Sequence, residues 1–344
     1  MKVVKLKDIA EILGVSVTTV SKALKDYPDI SKETKQHVKI LADKLNYKPS
    51  ALAVNFRNKE SRIIGVIIPE IVHHFFSNVI NGIIAEAEKQ GYLVITLQSG
   101  ESFDMEAKNI DLLIDQRVDG IILSLSNETN TFDHLKKLRD KGIPLVLIDK
   151  ISDEMDCSKI FIDDKHAAFM AVDYLIKTGC KKILHLNGSL IPKNNYDRLD
   201  GYKMALQEHR IEFDPELVYS CNKGTYLDGI EFTKKALQKH PDIDSIFAIT
   251  DLIAAGAITA LRDLDIKIPD QVSVMGFSNW ELSNIISPKL STIEQPNFEM
   301  GKEAISILLN EIKESKTLDY VRKSMVKLPT KVIIRDSTRK IDYD

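Results

Sequence analysis

Cysteine and long apolar runs are both scarce in this sequence of 344 residues. The three cysteines, Cys157, Cys180 and Cys221, form no CxxC pair and no zinc-ligand spacing, which indicates reduced thiols rather than disulfides or a cysteine-based metal site. No apolar run reaches the length of a membrane span. The opening MKVVKLKDIAEIL is charged and amphipathic, and it has no apolar region of the kind a signal peptide needs. We therefore expect a cytoplasmic protein without a membrane partner.

The motifs of common enzyme classes are missing as well. No GxGxxG or GxxxxGK[ST] motif follows any predicted strand, so a nucleotide-dependent α/β enzyme, one alternative for this chain, lacks its phosphate loop. No nucleophile elbow and no Ser–His–Asp or Cys–His set is indicated by spacing. The adjacent His73 and His74 point in different directions, and no third ligand is spaced to join them around a metal ion. The sequence therefore predicts neither an enzyme nor a bound metal or cofactor.

Charge is nearly balanced overall but unevenly placed. The whole chain has a formal net charge of −3. Residues 1–60 carry 12 Lys and Arg against 7 Asp and Glu, a net charge of +5, and the remainder carries 35 against 43, a net charge of −8. A basic head on an acidic body indicates that the head meets a polyanion such as DNA.

Residues 1–48 are predicted to form a small all-α domain. A first amphipathic helix ends at Gly14, which favours a left-handed turn. Ser16 is placed to cap a second helix from Val17 to about Leu24, and Ser31 is placed to cap a third. The first two helices have the spacing of a helix-turn-helix.

The second of these helices presents small and polar side chains on its outward face. Val17 is suited to contact a thymine methyl group, and Thr18 is suited to a hydrogen-bond donor or acceptor on a base edge. Lys22 is suited to donate to O6 and N7 of guanine. Serine and threonine hydroxyls at the helix starts are suited to phosphate. The alternative is an ordinary helical bundle with a solvated polar face. The candidate DNA contacts in this domain are Ser16, Val17, Thr18, Thr19, Ser21, Lys22 and Ser31.

From Arg62 onward, apolar strands alternate with amphipathic helices. Strands that are apolar throughout and separated by helices indicate parallel sheets covered on both faces. The pattern restarts near Ser158, which predicts two doubly wound α/β subdomains in succession. The predicted strands span residues 63–70, 93–98, 119–125, 143–150, 158–164, 181–188, 217–220, 245–250 and 272–279.

Ligands of open α/β sheets bind at the carboxyl ends of the strands, so we take the residues that follow each strand as candidates. Aromatic rings with carboxylate, amide and guanidinium groups suit a polyol, because the rings stack on C–H faces and the polar groups bind hydroxyls. One of Phe75 and Phe76 is expected in the cleft and the other in the core. Asp149 and Asp251 either bind ligand or cap a following helix, and Trp280 either stacks on the ligand or packs the lobe edge. The candidates are His74, Phe75, Phe76, Asp149, Arg198, Thr250, Asp251, Ser278, Asn279 and Trp280, with Asn194, Asn195 and Asp197 in the loop before Arg198.

The whole chain resembles the LacI/GalR family of transcription regulators. The resemblance lies in the stretches LKDIAEILGVSVTTVSKAL, LNYKPSALA, IGVIIPEIVHHFFSNVINGI, VDGIIL, IPLVLID, DRLDGY, TDLIAAGAITAL, IPDQVSVMGFSN, PKLSTIEQP and KVIIRDST. It implies a homodimer, or an oligomer built from dimers, that binds a pseudo-palindromic DNA operator. It also implies a body like the periplasmic sugar-binding proteins, with a small effector held between two lobes.

The resemblance assigns further residues. Ser50 to Phe56 matches a hinge helix that forms on DNA, and in it Ala53 and Phe56 are implied as DNA contacts. Arg57, directly after it, either contacts a phosphate or is solvated. Phe56 stands where the family usually has the leucine that wedges into the minor groove. The alternative role for Phe56 is packing against the effector domain. The arginine of DRLDGY, Arg198, matches a ligand contact, whereas Ser278 stands where the family commonly has aspartate.

We therefore predict three segments and one function. Residues 1–48 form the DNA-binding domain, residues 49–61 the hinge and residues 62–344 the effector-binding and dimerisation domain. Its first lobe is expected at about 62–158 and 292–322, and its second at about 159–291 and 323–340. The predicted function is transcription regulation, by repression or by activation, with operator affinity controlled by a sugar or sugar derivative. The alternative is a sugar-binding receptor without a DNA role.

Overall fold

A computed structural model of the chain describes residues 4–45, 47, 60–72, 74–189, 192–318 and 321–341. The chain divides into two compact units between Ser61 and Arg62. Within the described residues, no helix is long and apolar enough to cross a membrane.

The described part of the first unit contains three helices, α1 (Leu6–Leu13), α2 (Val17–Leu24) and α3 (Lys32–Lys44). Gly14 ends α1 with a φ of 64°, a left-handed conformation that glycine adopts at little cost. The caps predicted at Ser16 and Ser31 are confirmed, because each side chain accepts a hydrogen bond from the backbone N–H three residues later. The three helices enclose a core of their own, formed by Ile9, Ala10, Val20, Ala23, Val38 and Ala42.

The second unit contains two six-stranded sheets, as the alternation of strands and helices predicts. The order of the first sheet is β2-β1-β3-β4-β5-β11, and all of its pairs are parallel. The order of the second is β7-β6-β8-β9-β10-β12, and only β12 runs antiparallel to its neighbour. The strands are β1 (Ile63–Ile68), β2 (Leu93–Gln98), β3 (Gly120–Leu123), β4 (Leu145–Ile148), β5 (Ser158–Ile162), β6 (Ile183–Asn187), β7 (Val218–Ser220), β8 (Ser245–Ala248), β9 (Ser273–Ser278), β10 (Ser291–Glu294), β11 (Met325–Leu328) and β12 (Lys331–Ile333).

Helices cover these sheets on both faces. Ile64, Val66 and Ile68 of β1 pack into one buried cluster, and Ile67 packs into another on the opposite face, as the two-residue period of a strand requires. The helices are α4 (His74–Lys89), α5 (Phe103–Asp115), α6 (Asp133–Asp140), α7 (Asp164–Lys177), α8 (Lys193–Glu208), α9 (Tyr226–Lys239), α10 (Asp251–Asp263), α11 (Leu282–Ile285) and α12 (Asn297–Glu314).

The lobe boundaries expected from the sequence need correction at three strands. β5 was placed in the second lobe, but it pairs with β4 and β11 in the first sheet. β11 therefore also lies in the first lobe, not the second. Most of β10 was placed in the first lobe, but it pairs with β9 in the second sheet. The described chain thus crosses between the lobes after β5, after β10 and between β11 and β12.

The segment that carries Arg198 also differs from the expectation. Residues 194–198 were expected in a loop, whereas α8 begins at Lys193 directly after Pro192. Proline is suited to a helix start because its ring fixes φ and it has no N–H to satisfy. Asn194, Asn195 and Arg198 therefore project from the first turns of a helix, and all three are buried.

Candidate functional site

The start of α2 presents its side chains to solvent because its cap and its buried residues fix the helix. The Oγ of Ser16 accepts a hydrogen bond from the Thr19 N–H at 3.0 Å, which closes the first turn. Val20 is fully buried on the inner side, whereas Val17 is 44% exposed and Thr18 is exposed. An exposed methyl-bearing side chain beside an exposed hydroxyl is what contact with base edges in the major groove requires.

Lys22 on the same helix has a partner that the sequence pattern did not reveal. Its ammonium group pairs with the carboxylate of Asp29, in the turn between α2 and α3. Both side chains are about half exposed, and exposed ion pairs of this kind contribute little and exchange readily. Ser21 beside Lys22 is half-buried. Lys22 is therefore available to DNA only by leaving Asp29.

Each capping serine forms a hydroxyl pair with a threonine, and each pair can donate one hydrogen bond to an oxygen outside the protein. The Oγ of Ser31 accepts from the Thr34 N–H at 3.2 Å. Each serine hydroxyl also lies 2.8 Å from a threonine hydroxyl, Ser16 from Thr19 and Ser31 from Thr34. A pair of hydroxyls has two hydrogens and shares one, so one O–H of each pair is left to donate outward. The remaining predicted DNA contacts, Ala53, Phe56 and Arg57, lie outside the described residues.

A cleft of about 510 Å³ lies between the two lobes of the second unit. It is bordered by residues that directly follow β1, β4, β6, β8, β9 and β10, as the strand-end rule predicts. Its volume is within the range of ordinary small-molecule sites. The predicted effector residues that line it are His74, Phe75, Phe76, Asp149, Arg198, Thr250, Asp251, Ser278 and Trp280.

Aromatic side chains from both lobes face this cleft. The ring of His74, at the start of α4, is stacked with Trp280 after β9, with centroids 6.1 Å apart and planes 20° apart. Phe75 and Phe76 meet edge to face at 4.9 Å. The expectation that only one of the two lines the cleft is wrong, because both do, although Phe76 is also buried in the core.

Arg198 is held at the floor of the cleft by groups from several elements. Its Nε donates to Asp164 at 2.8 Å and its Nη1 to the Ile249 carbonyl at 3.0 Å. Its guanidinium carbon lies 3.9 Å from the centroid of the Phe277 ring. Burial raises the pKa of Asp164 to about 7, although Arg198 acts in the opposite direction. Burial also raises the pKa of Asp149, which faces the same guanidinium.

Asp149 is a cleft residue and not a helix cap. The element that follows it is β5, so no helix is available for it to cap. Its φ of 57° is left-handed, a conformation that non-glycine residues seldom adopt and that tends to occur at functional sites.

Asp251 holds the loop that carries Trp280. Its Oδ2 accepts from the Trp280 N–H and its Oδ1 from the Thr292 hydroxyl, both at 2.6 Å. The capping role falls instead to Thr250, whose Oγ1 accepts from the Ile253 N–H at 3.2 Å. Burial raises the pKa of Asp251 to about 6. Asp251 therefore acts on the cleft through Trp280.

Asn279 does not line the cleft, contrary to the expectation from the sequence. Its Nδ2 donates to Glu294 at 3.0 Å, and its Oδ1 accepts from Arg335 at 2.7 Å. Both ends of the amide are thus used inside the second lobe. Ser278, the preceding residue, does line the cleft.

Lys150, Glu101 and Asn127 are among the cleft residues that the sequence analysis did not predict. The Nζ of Lys150 lies 2.6 Å from the Oε1 of Glu101 and 2.6 Å from the Oδ1 of Asn127. The Oε2 of Glu101 accepts from the Asn127 N–H at 2.7 Å. Glu101 and Asn127 follow β2 and β3, whose ends supplied no candidates, and Lys150 was included in the predicted strand 143–150, whereas β4 ends at Ile148.

One group of possible metal ligands lies elsewhere in the described residues. Ligand atoms of Asp214, Glu216 and His240 lie within 4.8 Å of one another. Glu216 is already paired with Lys239 at 2.6 Å, and Asp214 accepts from the Glu216 N–H at 2.9 Å. The carboxylates therefore have partners without a metal ion.

Two family models match the chain. The model of periplasmic binding proteins and the sugar binding domain of the LacI family matches residues 61–332. The model of bacterial regulatory proteins of the lacI family matches residues 5–50. The two matches fall on the two units of the structure.

Curated proteins are similar over nearly the whole chain. The ribose operon repressor of Halalkalibacterium halodurans is 32% identical over 335 residues, which is 97% of this chain and 97% of that protein. The transcriptional repressor CytR of Escherichia coli (strain K12) is 33% identical over 339 residues, which is 97% of this chain and 96% of that protein. Among solved structures, the Lac repressor dimer bound to operator and the anti-inducer ONPF matches with a TM-score of 0.85 at 23% identity. That match covers 98% of this chain and 100% of the other, and it shows that the two share a fold.

Proposed function

This chain belongs to the LacI family of bacterial regulatory proteins, and on that premise we propose that it is an effector-controlled repressor of transcription. In this proposal a dimer binds a pseudo-palindromic operator, and a sugar or sugar derivative in the cleft between the lobes changes its affinity for that operator. The observation that carries the proposal is a cleft lined from both lobes by aromatic and hydrogen-bonding side chains. A ligand there contacts both lobes, so its binding free energy depends on their relative arrangement.

We assign operator contact to residues 1–48, the hinge to residues 49–61 and effector binding to residues 62–344. Val17, Thr18 and Lys22 read base edges, and Ser16, Thr19, Ser21 and Ser31 contact backbone phosphates or neighbouring edges. The assignment is supported by the capped, outward-facing start of α2. In the hinge, Ala53, Phe56 and Arg57 are assigned minor-groove and phosphate contacts from the family resemblance. A repressor of this kind works beside the chromosome, which places the protein in the cytoplasm.

In the cleft, we assign hydroxyl recognition to Asp149, Arg198 and Ser278, and stacking on sugar C–H faces to His74, Phe75 and Trp280. Phe76, Thr250 and Asp251 shape the site, because each is already packed or hydrogen-bonded within the protein. We assign no catalytic step, since both carboxylate oxygens of Asp251 are engaged and the carboxyl of Asp164 is bound to Arg198.

The test is a thermal-unfolding screen of the full chain against mono- and disaccharides, followed by DNA binding with and without each hit. A ligand specific for the folded state raises the unfolding temperature by mass action. We expect a hit that also changes the fluorescence of Trp280, the only tryptophan in the chain. Arg198→Lys should abolish the shift, and Lys137→Arg, outside the cleft, should preserve it. A hit that stabilises the Arg198→Lys variant equally would contradict the assigned site.

A further inference from the structure

The cations buried in the cleft already have carboxylate partners from the protein. Lys150 is only 11% exposed, and its ammonium lies 2.6 Å from Glu101 and 2.6 Å from the Asn127 amide oxygen. Glu101 is fully engaged, because its second oxygen accepts from the Asn127 backbone. An anionic ligand that approaches Lys150 therefore has to displace Glu101 or lie beside its negative charge.

The wall that carries Arg198 holds two buried carboxyls against one buried cation. Arg198 is the cation there, and it faces the carboxyls of Asp164 and Asp149. One of its N–H groups is bound to Asp164 and another to the Ile249 carbonyl. A phosphate or carboxylate placed against this guanidinium would therefore have to compete with Asp164 and the Ile249 carbonyl for its N–H groups, in a buried site where the lost hydrogen bonds are costly.

The cleft also offers a neutral donor that lacks a partner. The Nε2 of Gln295 is shielded from solvent, and in the described part of the chain no acceptor lies within hydrogen-bonding distance of it. The residue is more than nine-tenths buried, lines the cleft and directly follows β10 at a crossing between the lobes. A buried amide donor without an acceptor costs free energy that a ligand oxygen recovers.

We propose that the cleft is built for an uncharged, hydroxyl-rich ligand and discriminates against phosphorylated or acidic sugars. The inference rests on the proposed function only in taking this cleft as the effector site. Glu101 is then the specificity-determining residue, since it neutralises the lysine that a sugar phosphate would otherwise use. Lys223 also borders the cleft, but it is exposed at the rim, where water and salt screen its charge.

Inorganic phosphate is the probe that tests the charge of the cleft without knowledge of the effector. Its binding is measured calorimetrically at constant ionic strength on the full chain, on Glu101→Gln and on Asp111→Asn. The Asp111→Asn control makes the same change of net charge and frees Lys137, whose Nζ lies 2.9 Å from Asp111 on an exposed surface. We expect phosphate to bind Glu101→Gln at least roughly tenfold more tightly than the wild type, and the control to match the wild type. Saturable phosphate binding by the wild type that Lys150→Met removes would overturn the inference, as would equal affinities of the wild type and Glu101→Gln.

Matched sugar pairs on the wild type give a second test that does not depend on the folding of a variant. Ribose is compared with ribose 5-phosphate and glucose with glucose 6-phosphate. We expect any sugar that binds to lose at least roughly tenfold in affinity when phosphorylated. Tighter binding of a phosphorylated member would refute the inference on charge and leave the proposed effector site standing. Sugars that stabilise the protein without changing DNA binding would instead contradict the proposed function, and the phosphate measurements would still decide the inference.

Discussion

Replacement of Asp251 by alanine should loosen the loop that brings Trp280 to the cleft. The carboxylate accepts two hydrogen bonds of 2.6 Å, from the Trp280 N–H and the Thr292 hydroxyl. Leaving both donors unsatisfied costs roughly 2–6 kcal/mol. Removing this buried carboxyl, whose pKa is about 6, also removes the cost of ionising it, which stabilises the folded state by roughly 3 kcal/mol at neutral pH. The two effects together change the free energy of unfolding by between a gain of roughly 1 kcal/mol and a loss of roughly 3 kcal/mol, so the exposure of the Trp280 ring is the deciding measurement.

The single tryptophan makes this change observable at the loop itself. Urea unfolding followed by circular dichroism gives the change in stability, and acrylamide quenching of Trp280 gives the exposure of its ring. We expect stronger quenching in Asp251→Ala than in the wild type. Asp263→Asn, an exposed position on the same helix, is the matched control and should change stability by less than about 0.5 kcal/mol. Unchanged quenching would refute the role given to Asp251.

The remaining predictions concern a titrating carboxyl, a helix crossing and the hinge. Because burial raises the pKa of Asp164 to about 7, the folded state holds a proton that the unfolded state releases, so stability falls as pH rises. Between pH 6 and pH 8 the free energy of unfolding of the wild type, measured with urea, should fall by roughly 1 kcal/mol more than that of Asp164→Asn. Parallel pH profiles of the two proteins would contradict this. Gly256→Ala should lower the free energy of unfolding by roughly 2–3 kcal/mol, because a Cβ added at this crossing of α9 and α10 would lie 2.1 Å from the Tyr226 carbonyl oxygen. An unchanged melting temperature would disprove this contact. Phe56→Ala should weaken binding to the operator far more than binding to random DNA, and equal losses at one salt concentration would eliminate the minor-groove wedge.

Local signals in the sequence predicted the parts of the fold that depend on nearby residues. α2 begins and ends where its cap and apolar face indicate, because capping by Ser16 acts over three residues. The strand β2 also matches its predicted range, although it is an edge strand and none of its residues is fully buried. The bounds of the other predicted strands differ from the observed ones by a few residues. A strand ends where its hydrogen bonds to the neighbouring strand end, and the amino-acid composition does not determine that point.

Features set by pairing between distant segments were not predictable. β5 joins the first sheet because it pairs with β4 on one side and with β11, more than 160 residues later, on the other. The partners of Asn279 likewise come from Glu294 and Arg335 on other elements. Hydrophobic periodicity contains no information on either choice.

The cleft was predicted better by topology than by residue type. Nine of the ten effector residues predicted from strand ends line it, since the carboxyl ends of parallel strands meet at one edge. Residue chemistry alone did not distinguish Asp149, which faces the cleft, from Asp251, which holds Trp280 in place. That distinction depends on hydrogen bonds between segments far apart in the sequence.

In the proposed function, a ligand in the cleft controls the binding of DNA by residues 1–48. The most direct measurement selects DNA from a random pool with the full chain, then follows its binding across salt concentrations with and without the sugar that stabilises the protein. We expect a pseudo-palindromic sequence, a steep loss of affinity with salt and a change of affinity on adding the sugar. Absence of DNA binding at low salt, with or without ligand, would contradict the account.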